Sequence, residues 1–239
     1  ILFCARDCDI IYKVYNRLFQ EFDNEYIQIS RFAIMSITSE RYLYDLIGRT
    51  VLRSCQEDGK SKTLETILRD SGFEFLVEYL EDSDIDKFSF ASAVDTRIIE
   101  KFLYSHADII RQHNEESRKA AVKYFKHVVG AAKNILIVDV GWSGTCLSAW
   151  KYFAERYLRI PNLKVTGALL CTSQNKPVTA AMESGFIESF VYSPFHNREL
   201  TDFMMPQDEA SMAPAVKDKL HMPVEYMVTS CDPSLVEYT

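Results

Sequence analysis

The stretch NILIVDVGWSGT, residues 134–145, decides the fold. Its apolar run predicts a buried strand that ends at Asp139. Two of the chain's 8 glycines, Gly141 and Gly144, follow directly, and the apolar spacing then becomes that of a helix over residues 146–158. We therefore predict a strand, a tight loop that contains glycine, and a helix.

The same alternation of strands and helices occurs on both sides of this stretch. Apolar runs predict further strands at residues 1–5, 26–30, 164–171 and 186–192. Helical spacing predicts a helix over 10–22, with Asp9 as its N-cap. Successive strand, helix and strand segments favour parallel pairing with right-handed crossovers. We expect an α/β fold, a Rossmann-like three-layer sandwich with a mainly parallel sheet.

A long helical segment interrupts this alternation. Between residues 35 and 130 the apolar residues keep helical spacing, and no strand pattern is visible. We interpret residues 35–130 as a helical insertion or lid. Residues 1–34 and 131–239 would then form the α/β core that binds phosphate.

Charge and apolar content limit the classes of function. The chain of 239 residues has 27 Lys and Arg against 34 Asp and Glu, a net charge of -7, which disfavours nucleic acid as a partner. No apolar run is long enough to cross a bilayer, and the first residues lack the pattern of a secretory leader. These features predict a cytoplasmic location. Because the sequence begins with Ile1 inside an apolar run, we expect a piece of a longer polypeptide with additional domains.

The loop after Asp139 is the strongest candidate site. Gly141, Ser143, Gly144 and Thr145 would present backbone N–H groups and hydroxyls at the start of a helix, which suits a phosphate group. The alternative is a tight turn in which the hydroxyls only cap the helix. The ring of Trp142 could either stack on a ligand or pack against the protein.

The ends of the first two strands also carry polar residues. Arg6 and Asp7 follow the first strand, and Ser30 and Arg31 follow the second. Ligands bind beyond the carboxyl ends of parallel strands, so these residues should lie at one sheet edge with Asp139. We expect Asp139 to hold ribose hydroxyls or Mg²⁺, and Arg6 with Arg31 to neutralise a second phosphate.

These segments resemble the core of the type I phosphoribosyltransferases, through residues 6–8, Ser30-Arg31, Asp139 and 143–145. The resemblance implies that the first loop binds pyrophosphate and the later loop binds the ribose 5-phosphate of a phosphoribosyl donor. Val140 stands where that family usually has a second acid, and Asp7-Cys8 stand where it has glycines.

Over the whole chain, the sequence is similar to large bacterial proteins of surface-polysaccharide loci that are labelled haloacid dehalogenase-like hydrolases. That resemblance implies a magnesium-dependent phosphoester hydrolase, with Asp7 as nucleophile and Asp139 as a metal ligand. It also implies a dehalogenase-type domain N-terminal to this region. Three functions thus stay open: binding, with or without turnover, of a phosphorylated sugar or nucleotide; phosphoester hydrolysis; and a non-catalytic interaction module of a larger polysaccharide-biosynthesis protein.

Overall fold

The computed structural model describes residues 1–5, 8–19, 21–86, 88–141, 143–172 and 176–192. The predicted site residues Arg6, Asp7 and Trp142 lie outside these ranges.

Five strands form one sheet in which every pair is parallel. They are β1 (Leu2–Cys4), β2 (Glu25–Ile27), β3 (Asn134–Asp139), β4 (Lys164–Thr172) and β5 (Ile187–Tyr192). Their order across the sheet is β2-β1-β3-β4-β5. The predicted α/β class and parallel sheet are confirmed.

Helices make up most of the remaining described chain. The α-helices are α1 (Asp9–Leu18), α2 (Arg31–Ile37), α3 (Ser39–Ile47), α4 (Arg53–Asp58), α5 (Leu64–Asp70), α6 (Thr96–Ser105), α7 (Ala107–His113), α8 (Glu115–Val129), α9 (Thr145–Phe153) and α10 (Lys176–Glu183). Two π-helical turns continue helices, Gly48–Leu52 after α3 and Ala154–Leu158 after α9, and 3₁₀ turns occur at Glu74–Leu80 and Ala91–Ala93. Within the described residues, no helix combines the length and apolar content needed to cross a membrane.

The first helix differs from its prediction at both ends. It stops at Leu18 because Phe19 adopts an extended backbone conformation. Its N-cap is Cys8, so the prediction of Asp9 as the N-cap was wrong. Asp9 lies in the first turn, where its carboxylate accepts a hydrogen bond from Lys13 at 2.6 Å.

Two helices were not predicted, α2 and α10. Helix α2 begins at Arg31, because the Ser30 hydroxyl accepts a hydrogen bond from the Ala33 N–H at 3.1 Å and caps it. Both helices have fewer than nine residues, 7 in α2 and 8 in α10, so each shows few repeats of a helical pattern.

Helices cover both faces of the sheet, which completes the three-layer sandwich. On one face, the Phe3 ring of β1 contacts Tyr12 and Tyr15 of α1, with ring centroids 5.6 and 5.4 Å apart. On the opposite face, a Cβ atom added at Gly167 of β4 would meet the Leu147 side chain of α9 at 2.8 Å. Glycine thus lets α9 approach the sheet closely.

Helix α8, from the segment of residues 35–130, packs against α9. The Phe125 ring of α8 meets Trp150 edge to face and also contacts Phe153, both with centroids 5.5 Å away. Their apolar side chains join those of the sheet in one hydrophobic core. The helical segment is therefore in direct contact with the helix that follows the candidate loop.

A carboxylate with two tyrosine hydroxyls ties α3 to the end of α9. Glu40 accepts hydrogen bonds from the Tyr152 hydroxyl at 2.8 Å and from the Tyr157 hydroxyl. The hydrogen bond from Tyr157 is the main cause that holds the pKa of Glu40 below its ordinary value of 4.5. Arg156 lies 3.5 Å from the same carboxylate oxygen and favours its charged form as well.

We predict that Glu40→Gln lowers the free energy of unfolding by about 1 kcal/mol near neutral pH, since the charge-assisted hydrogen bonds weaken. A depressed folded-state pKa gives stability that is complete above the unfolded-state pKa and disappears as pH falls through the folded-state pKa. The difference between the two proteins in urea unfolding should therefore be larger at about pH 7 than at about pH 3. Glu116→Gln, at an exposed carboxylate that pairs with Lys119, is the control and should change little. An equal difference at both pH values would contradict the role of the charge.

Candidate functional site

The order of the strands places a topological switch point between β1 and β3. We call the region beyond the carboxyl ends of these two strands the crevice. The connection from β1 leads through α1 to β2 on one side, and the connection from β3 leads through α9 to β4 on the other side. The two connections therefore diverge from neighbouring strands. In open parallel sheets, ligands bind at such a switch point, beyond the carboxyl ends of the strands.

The loop that leaves β3, residues 140–144, is fastened to the adjacent strand. The Cys171 N–H of β4 donates to the Val140 carbonyl at 2.9 Å. A Cβ atom at Gly141 would lie 2.3 Å from the Cys171 carbonyl oxygen, so no side chain fits there. This glycine lets the loop run against the β4 backbone.

The second glycine of this loop sets the start of α9. Gly144 caps the helix in the left-handed conformation, with a φ of +66°. A Cβ atom at this position would lie 2.9 Å from the Ile187 side chain and 3.1 Å from that of Val178. Both the backbone conformation and the neighbouring apolar side chains therefore require glycine.

The first amides of α9 have no acceptor in the part of the chain that the structure describes. The Ser148 N–H donates to the Gly144 carbonyl at 3.0 Å and starts the helical hydrogen bonds. Among the described residues, no acceptor pairs with the backbone N–H groups of residues 143–147, and no side chain caps the helix. These donors and the positive end of the helix are directed beyond the sheet edge, where they suit an anion.

Two hydroxyls and one guanidinium adjoin these amides. The Ser143 and Thr145 hydroxyls lie 2.8 Å apart, and Arg49 Nη2 donates to Thr145 Oγ1 at 3.4 Å. Arg49 is in the π-helical turn Gly48–Leu52, separated from Thr145 by 96 residues. Arg49 was not among the predicted site residues, because no local sequence pattern links the two segments.

Asp139 lies at the base of the loop and is nearly buried, with 7% of its surface exposed. Its Oδ1 accepts the Val140 N–H at 2.8 Å, so the carboxylate orients the first peptide of the loop. The neighbouring Cys4 thiol has a raised pKa, first because of its hydrogen bond with Cys146, then because of burial, with Asp139 adding a smaller effect. Cys4 is thus a neutral thiol and a poor nucleophile.

The loop that leaves β1 is fastened to β3. Cys8 is fully buried, and its thiol donates to the Val138 carbonyl at 3.3 Å. The Cys8 side chain is therefore a packed thiol just before α1. Arg6 and Asp7, which precede it, are outside the described residues.

The predicted residues after β2 have a different setting. The Ser30 hydroxyl is used as the cap of α2, and Arg31 is exposed in the first turn of that helix. Strand β2 borders β1 rather than β3. The structure groups Arg49 with Ser143 and Thr145 at the loop after β3. Ser30 follows β2, which β1 separates from β3.

The described residues offer little to a metal ion. Within them, no group of three or more His, Cys, Asp or Glu side chains is placed to bind a cation. The donor set around Asp139 therefore does not by itself fit a Mg²⁺ site.

Comparisons with models of protein families, with curated proteins and with solved structures found no match.

We predict that Gly144→Ala destabilises the fold by roughly 2–4 kcal/mol, because the left-handed conformation is strained for alanine and the new methyl group collides with Ile187. Gly185→Ala is the matched control, since Gly185 has a φ of +70° and no atom within 4 Å of its added Cβ. The control should lose only the part of the unfolding free energy that comes from the strained left-handed backbone, roughly 1–2 kcal/mol. Equal losses in denaturant unfolding would show that packing at Gly144 does not matter.

Proposed function

We propose that this chain binds a phosphorylated sugar or nucleotide at the loop of residues 140–144, with the phosphate at the start of α9. The proposal is supported by the backbone N–H groups of residues 143–147, which have no acceptor among the described residues and follow β3 at the carboxyl edge of the sheet. Such amides bind a phosphate without any change of backbone conformation.

The electrostatics of the crevice support an anionic ligand. The chain has a net charge of -7, so attraction must come from local groups rather than from the whole protein. Helices α1 and α9 follow the neighbouring parallel strands β1 and β3, so both present their positive ends at the carboxyl edge of the sheet. A small phosphorylated molecule fits these local donors, whereas a nucleic acid would meet the surrounding negative charge.

The rest of the ligand would extend toward β1. Asp139 borders the crevice at the end of β3, and we assign it to sugar hydroxyls, as the resemblance to phosphoribosyltransferases implies. The single acid at this position, followed by Val140, leaves turnover open. The cytoplasmic location and a role in polysaccharide biosynthesis likewise stay predictions.

Removal of the Thr145 hydroxyl tests the binding proposal without a change at Gly141 or Gly144. Thr145→Val should weaken the affinity for ribose 5-phosphate about tenfold in titration calorimetry, because a hydrogen-bond donor to the phosphate is lost while the side-chain shape is kept. Thr66→Val is the matched control, since Thr66 Oγ1 also lies 3.0 Å from a neighbouring hydroxyl at a helix start, that of Thr63. The control should bind as the unaltered protein does. Absence of binding by the unaltered protein would overturn the proposal.

A phosphoester hydrolase is the second candidate. It is favoured by the pairing of β1 with β3, which brings the residues after Cys4 and after Asp139 to the same crevice. In this mechanism the Asp7 carboxylate would attack the phosphorus atom as the P–O bond to the leaving group breaks, and Asp9 would protonate the leaving oxygen. Water would then hydrolyse the aspartyl phosphate, which releases phosphate and restores Asp7.

For the hydrolase mechanism, we predict that Asp7→Asn abolishes hydrolysis of p-nitrophenyl phosphate. The same substitution should remove the aspartyl-phosphate adduct that mass spectrometry detects. Asp108→Asn is the control, because Asp108 is exposed and pairs with Arg111 in α7, and it should leave hydrolysis unchanged. Undiminished hydrolysis in the Asp7 variant would eliminate this candidate. Ligand binding without any turnover would favour the non-catalytic module.

A further inference from the structure

We infer that Arg49 binds the phosphate of the ligand and makes the site selective for a dianionic phosphate monoester over a monoanionic diester, with Asp45 as the counterion that holds Arg49 before the ligand binds. The inference rests on the proposed function, because it concerns the same site.

Arg49 has donor capacity to spare. Its Nε donates to Asp45 Oδ1 at 3.3 Å and its Nη2 to Thr145 Oγ1 at 3.4 Å, both longer than the usual range of about 2.7 to 3.2 Å. Within the described residues, its guanidinium has no third acceptor, and 37% of the side chain is exposed. A guanidinium with five N–H donors can therefore take two phosphate oxygens at once.

Arg49 supplies a full positive charge beside the partial charges of the loop. The amides and hydroxyls of residues 143–147 supply only partial positive charges, about half an elementary charge for the whole helix end. Among the described residues, Arg49 is the cationic side chain that hydrogen-bonds this loop. Arg49 therefore supplies a full positive charge that interacts with the second negative charge of a phosphate monoester. A diester carries a single negative charge, so its attraction to Arg49 is weaker.

The π-helical turn explains how Arg49 reaches the loop. It spans Gly48–Leu52 and joins α3 to α4 within the helical segment. An extra residue in a helical turn changes the direction of the following side chains, and such turns are frequent at functional sites. The helical segment thereby contributes directly to the candidate site.

Asp45 competes with the ligand for Arg49. The two side chains form an i,i+4 pair, with 37% of Arg49 and 35% of Asp45 exposed. Such exposed pairs are weak, so exchange of the carboxylate for a phosphate with more negative charge is favourable. Loss of Asp45 would remove both the competitor and a like charge that repels the phosphate.

The test is titration calorimetry of the whole chain with ribose 5-phosphate and with dimethyl phosphate at about pH 7.5. We expect Arg49→Gln to weaken binding of ribose 5-phosphate about tenfold or more and that of dimethyl phosphate by much less. Asp45→Asn should strengthen the binding of ribose 5-phosphate about twofold to fivefold. A purely structural role of Arg49 would not produce this gain.

The pair Arg69 and Glu65 supplies matched controls, because it has the same i,i+4 spacing and its Nη2 to Oε1 distance is 2.9 Å. Arg69→Gln and Glu65→Gln should leave both affinities unchanged. Equal loss for the two probes in Arg49→Gln, or no gain in Asp45→Asn, would overturn the inference while leaving the proposed function intact. Failure of the unaltered protein to bind either probe would instead overturn the proposed function itself.

Discussion

Parallel pairing of β1 with β3 is the constraint on which the rest of the structure depends. Because the two connections leave these strands in opposite directions, nothing in the regular sheet fills the space between their carboxyl ends. The hydrogen bond from the Cys8 thiol to the Val138 carbonyl, 3.3 Å long, ties the first connection to β3. The crevice is thus a consequence of topology, and its edges are held by short-range contacts.

The same loop serves the fold and the candidate site. Gly141 lets the loop lie against the β4 backbone, and Gly144 places the start of α9 against Ile187 and Val178. These contacts fix the direction of the unpaired amides before any ligand arrives. Preorganised donors of this kind bind an anion without the cost of ordering the loop. The helical segment completes the arrangement through Arg49, whose long contacts with Asp45 and Thr145 leave donors for a phosphate.

Local patterns predicted much of the fold. The apolar run before Asp139 and the change to helical spacing after Gly144 correctly indicated β3, the loop and α9, because these signals depend on neighbouring residues. Helix α2 is too short for its apolar pattern to repeat often enough to indicate a helix. Ser30, which caps α2, was therefore predicted only as a ligand-binding residue. The contact between Arg49 and Thr145 depends on a π-helical turn and on packing across 96 residues, which no spacing within the sequence expresses.

Binding of phosphate by the amides at the start of α9 can be observed directly by a titration of the ¹⁵N-labelled protein with ribose 5-phosphate, followed by NMR of the backbone amides. We expect saturable downfield proton shifts at Ser143, Gly144 and Thr145, larger than those elsewhere in the chain. Unchanged resonances for these three residues at saturating ligand would contradict phosphate binding by these amides, whether or not the molecule binds at another place.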